Sequence, residues 1–118
     1  MGRVNITTED AQTHARDQYQ ELHDQISHAR ETCTDPTQRT LLRQRAEDVQ
    51  DVLTALDRSA LEAQTADFEA VGKQVAAVNV DLQALKAEID TIVQDVAVAT
   101  KVAGAIDSAL TAAAKLFG

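Results

Sequence analysis

Apolar residues recur through the C-terminal half of the chain in alternating steps of three and four. Phe68, Val71, Val75, Val78, Leu82, Leu85, Ile89, Ile92, Val96, Ala99, Ala103, Ile106, Leu110, Ala113 and Phe117 form one ladder with no polar rung. Such a repeat averages about 3.5 residues, which lays an apolar seam along one side of a helix and favours supercoiling on a partner. Two shorter seams precede it. Ala15, Tyr19, Leu22, Ile26, Ala29 and Cys33 make the first, and Leu42, Ala46, Val49, Leu53, Leu56, Ala60 and Ala63 make the second. The pattern predicts an all-α chain with helices over about 8–33, 36–58 and 62–117, folded as a single helical domain over 1–118.

Local chemistry marks the boundaries. Thr7 or Thr8 can cap the first helix, with Glu9 and Asp10 following where the helix dipole favours negative charge. Thr34-Asp35-Pro36 is the clearest break. Proline disfavours helix in the residue before it and suits the first position of a new one, while Asp35 can accept from the free amides of Thr37 and Gln38. The first two helices should therefore be antiparallel neighbours. The second seam would next reach Asp67, fails there, and restarts at Phe68. Either the chain turns between about 57 and 67, with Ser59 and Glu62 as a capping box or Thr65 as a cap, or one long helix absorbs the slip in its winding. The turn is favoured, because an unbroken helix from Pro36 to Phe117 would run roughly 120 Å.

The third ladder is nearly twice as long as its neighbours and changes character along its length. Gln74, Asp81, Glu88 and Asp95 give its first part a polar edge, whereas Val98, Val102, Ala105, Ala109, Ala112 and Leu116 widen the apolar surface of its second. A helix apolar on most sides must be buried on most sides. Gly104 is the expected place for a break, which would turn 105–117 into a short fourth helix. The expected architecture is an antiparallel three-helix bundle or coiled coil with a long C-terminal helix, broken if anywhere near Gly104.

Composition narrows the functions. The chain has 118 residues, a net charge of −8, one Tyr, two Phe and no Trp, so its core must be built from Val, Leu, Ile and Ala. Four Gly and one Pro are too few for the turns of a many-stranded sheet. The negative charge and the lack of a basic run argue against nucleic acid. Arg39, Arg43 and Arg45 are the densest basic cluster, but Glu47, Asp48 and Asp51 follow at once, as on a solvated helix face. The N-terminus has no apolar stretch of the signal-peptide kind, and Ile6 stands where a myristoylation motif wants Ser or Thr, so a cytoplasmic location is expected, with non-Sec export left open.

Candidate chemistry is sparse. Asp10 and His14, like Asp24 and His28, are spaced four apart and could share a helix face, yet no repeated metal-ligand spacing accompanies them. Cys33 is the sole cysteine and sits at the end of a seam, where a small buried thiol is common. Gly72 and Gly104 are isolated, so no phosphate-cradling loop is present. The expectation is a protein that is not an enzyme and needs no cofactor or metal. It should act as a helical protein–protein interaction module: a small assembly factor, adaptor or immunity-type binder in a bacterial or phage setting. The interaction seam is expected at Leu85, Ile89, Ile92, Val96, Ile106, Leu110 and Phe117, with self-association as a homodimer or larger, or a protein partner. The alternative is a membrane-active protein whose amphipathic 96–117 segment enters a bilayer or its interface. A small secreted helical hairpin also fits by size and acidity, although the Trp-based turn of such proteins is absent.

Overall fold

The computed structural model describes residues 8–57 and 65–117. Those residues are all-α: α1 spans Thr8–Thr32, α2 Pro36–Leu56, α3 Ala66–Ala87, α4 Ile89–Ile92 and α5 Val96–Phe117. Five helices pack against one another in place of a third helix running from 62 to 117. The Thr7 cap, the Ser59–Glu62 capping box and the Ala60 and Ala63 rungs lie outside the described residues.

Short-range chemistry sets most of the helix ends. Asp35 is extended and its Oδ1 accepts from the Gln38 amide at 3.0 Å, with Pro36 opening α2. Thr65 starts α3 in the same way, its hydroxyl accepting from the Phe68 amide at 3.2 Å. Asp95 caps α5, accepting from Ala97 and Val98 at 3.0 and 3.2 Å. Each cap satisfies amides that have no partner inside their own helix.

Cross-helix bonds fix the directions. The Arg16 guanidinium pairs with Asp57, and Gln12 Nε2 donates to the Leu56 carbonyl at 2.6 Å, which joins the start of α1 to the end of α2. Arg45 bridges to Asp81 at 3.0 Å and Gln74 donates to the Asp51 carbonyl at 3.4 Å, so α3 runs back along α2. α2 and α3 are therefore antiparallel and are not parts of one continuous helix. Lys86 meets Asp107 at 2.6 Å while Phe117 lies beside Gly72, so α5 runs back along α3. α1 packs on α2 and α5, and α3 packs on the same two from the other side.

The expected break near Gly104 is corrected. Gly104 lies inside α5, and the chain instead turns at Glu88 and again through Val93–Asp95. Matched length is the physical reason. α1, α2, α3 and α5 have 25, 21, 22 and 22 residues, so each is roughly 30–37 Å long. A break near 90 divides the long ladder into two rods that both fit beside the first pair. A break at Gly104 would leave one rod overhanging with its apolar face in water. The one-turn α4 buries the ladder rungs Ile89 and Ile92, and Val93, which stands off the ladder, is buried beside them to close this corner.

The core runs the length of the bundle. Ala15, Tyr19, Leu22, Ile26 and Ala29 of the first seam and Leu42, Ala46, Val49, Leu53 and Leu56 of the second are buried. α5 buries a broad stripe, Val98, Ala99, Val102, Ala105, Ile106, Ala109, Ala112, Ala113 and Leu116. Leu110, Ala113 and Phe117 flank α3, which leaves the Val98–Val102–Ala105–Ala109–Ala112–Leu116 row for its other neighbour, α1. The alanines in that row let the two backbones approach closely. A polar contact also ties α1 to α3: the Tyr19 hydroxyl donates to Asn79 Oδ1 at 2.5 Å. Desolvation pushes the Tyr19 phenol up to about 12, partly opposed by that hydrogen bond.

Candidate interaction surface

The structure disperses the expected seam. Leu85, Ile89, Ile92 and Ile106 are buried within the chain's own core. Val96, first residue of α5, is 76% exposed beside the Asp95 cap, because the turn there rotates its rung away from the bundle. Leu110 and Phe117 are half-buried. These last two come together with α3 residues around a groove of about 330 Å³ that also involves Gly72, Ala76, Val80 and Ala114.

The groove follows from how α3 is built. α3 carries apolar residues around much of its circumference, including Ala76, Ala77, Val80, Ala84 and Ala87, all exposed. Its inward rungs Val71, Val75, Leu82 and Leu85 meet the core. Val80 is 66% exposed and stands off the ladder, which is why the periodicity gave no signal for it. One end of the groove is closed by Phe117 against Phe68, with ring centroids 5.1 Å apart and planes tilted by 53°. Gly72 faces the Phe117 ring so closely that a Cβ there would lie 3.1 Å from Cδ1. Asn79 and Gln83 supply the polar groups of the lining.

A second recess, of about 170 Å³, lies where the α1–α2 turn meets the α4–α5 turn, bounded by Ala29, Cys33, Asp35, Ile92 and Asp95. Both carboxylates there are helix caps, and the Cys33 thiol lies 3.8 Å from the Asp35 carbonyl. Among the described residues no three His, Cys, Asp or Glu side chains converge as metal ligands would. His14 and His28 are exposed, and His23 is half-buried, its enclosed Nδ1 3.8 Å from Asp24 Oδ1 and without a hydrogen bond.

The basic cluster is also rearranged. Arg45 turns to the α2–α3 junction, where it holds Asp48 at 2.6 Å and Asp81 at 3.0 Å. Burial raises the Asp48 carboxyl above its ordinary range despite the opposing effect of Arg45. Arg39 and Arg43 face elsewhere, toward Arg30 from α1. No family model, curated protein or solved structure matches this chain.

Proposed function

We propose that the protein is a non-catalytic helical interaction module, acting as a small assembly factor, adaptor or immunity-type binder, and that it docks another helix in the α3–α5 groove. One observation carries this reading: Val80, Ala76, Leu110, Ala114 and Phe117 form an apolar surface beside small residues that leave room for a helix. A second copy is the favoured occupant, because the same α3 face can pack on its own symmetry mate. The heptad seams belong to this reading as the coiled-coil packing that stiffens the bundle and presents the groove.

Light scattering on the intact protein tests it. A mass of two or more chains that falls to one chain in Val80→Asp, with unchanged helical content, is the expected result. A parent protein that is monomeric at high concentration and captures no helical partner through Val80 overturns it.

A second reading has one observation of its own. α5 is the single described helix long and apolar enough to cross a membrane by length and composition, although 44% of its apolar window is buried inside the bundle. Insertion would require α5 to leave α1 and α3. Dye release from liposomes that disappears on truncation after Asp95 would favour this reading over the module.

A further inference from the structure

Five arginines fall in the described residues, and they divide into two groups. Arg16 pairs with Asp57 and Arg45 with Asp81 between elements, and Arg45 also holds Asp48 within α2. Arg30, Arg39 and Arg43 instead border one recess of about 510 Å³ on the outside of the α1–α2 corner, together with Thr34, Pro36 and Thr40. Among the described residues no carboxylate lines it. Among the described residues the Arg39 side chain reaches only the Cys33 carbonyl, at 3.5 Å, and Arg43 only Glu47, at 3.6 Å between exposed side chains. The Arg30 guanidinium makes no hydrogen bond or ion pair among the described residues. Three guanidiniums that the fold leaves mostly unused thus converge on a chain of net charge −8.

We infer that this recess binds an acidic segment of a partner protein, with carboxylates about one helical turn apart. The inference deepens the interaction-module reading and rests on it. Arg39 and Arg43 are four apart on α2, so their side chains project at a spacing of about 6 Å, which matches Asp or Glu residues one turn apart on a facing helix. Arg30 comes from the other helix and gives a third point that fixes orientation. Guanidinium forks take carboxylates in a planar, paired geometry that an ammonium cannot reproduce. Asp35 stands near but is engaged with the Gln38 amide, and it offsets the positive end of α2 without lining the recess.

Charge selects the class of partner. An extended polyanion such as nucleic acid or an anionic membrane would meet the repulsion of the whole acidic surface over roughly a Debye length of 8–10 Å. A short segment with two or three carboxylates engages the forks while keeping most of its length clear of that surface. The recess is also far wider than one oxyanion needs, which favours side chains arriving on a backbone over a free ion.

The test is fluorescence anisotropy with the intact protein and a labelled alanine-based helical peptide carrying two glutamates one turn apart. Its control is the same peptide with glutamines. The glutamate peptide should bind at low ionic strength, weaken as salt is raised, and lose at least about tenfold in affinity when Arg30, Arg39 and Arg43 are all replaced by Gln. Replacing the three by Lys keeps the charge and should still cost several-fold, since the fork is lost. Arg16→Gln, remote from the recess, should bind as the parent does. Equal binding of the two peptides, or an unaffected Gln triple variant, overturns the proposal. Tighter binding of a single-stranded oligonucleotide, anionic vesicles or inorganic phosphate at the same arginines overturns the choice of an acidic segment. Failure of the groove reading is separately visible: the protein would be monomeric and insensitive to Val80→Asp while peptide binding persisted.

Discussion

Replacing Tyr19 by Phe should remove most of the protein's specific sensitivity to alkali. Tyr19 is the only tyrosine in the sequence and is fully buried, with its hydroxyl on Asn79 at 2.5 Å. Burial raises the phenol from 10.0 to about 12, so the folded state holds its proton where the unfolded chain has released it. The stability that this represents is complete below pH 10 and is lost as the pH rises toward 12. At pH 11 the unfolded tyrosine is mostly phenolate and the folded one mostly phenol, a difference of about one decade, or roughly 1.4 kcal/mol. With a urea slope of about 1–3 kcal/mol per molar, the parent's midpoint should fall by roughly 0.5–1.4 M between pH 8 and 11 on this account alone. Tyr19→Phe keeps the ring, loses the titration, and shares with the parent every lysine contribution to alkaline loss. At pH 8 the variant should be less stable by about 1 kcal/mol, because Asn79 loses its donor. The tyrosinate absorbance of the folded parent, arising from one residue, should titrate near 12. Equal loss of stability by parent and variant between pH 8 and 11, or a tyrosinate midpoint near 10 in the folded protein, would refute the buried phenol.

Three further outcomes follow from the packing. Ile106→Asp should abolish folding as judged by circular dichroism, since a fully buried carboxylate has no partner there, whereas Val96→Asp should change the melting temperature little or raise it, being exposed in the first turn of α5. Equal damage from both would mean that the rungs are not divided as described. Gly104→Ala should stabilise by about 0.5–1 kcal/mol in a urea melt, because the position is inside α5 and an added Cβ meets nothing within 4 Å; a loss of stability would point back to a break at Gly104. Asp95→Ala should cost about 1 kcal/mol by leaving the Ala97 and Val98 amides without their acceptor, and a neutral result would mean that α5 does not start there.

The helical class, the boundary between the first two helices and most of the core were legible in the chain, because they depend on chemistry within a few residues. The Asp35-Pro36 start of α2 needs only a cap and a fixed proline torsion, and the seam rungs from Ala15 to Ala29 and Leu42 to Leu56 are buried because periodicity names an apolar face whatever covers it. Thr65 was readable as one of two possible caps. The break between α3 and α5 was not readable in the same way. The ladder passes through Ile89, Ile92 and Val96 without a Gly or Pro, and its spacing is the same whether the helix continues or folds back. Asp95 carried a local signal for a helix start, but as one acidic residue on a polar edge it did not stand out.

Tertiary structure decided how each face was used. It placed Leu85, Ile89, Ile92 and Ile106 inside the core, left Val80 and Val96 in solvent, sent Arg45 to Asp81, and brought Arg30 beside Arg39 and Arg43. A hydrophobic repeat fixes which side of a helix avoids water through interactions local to that helix. Which neighbour covers that side depends on the lengths of all the rods and on contacts between residues far apart in the chain. Only the folded arrangement balances those against one another.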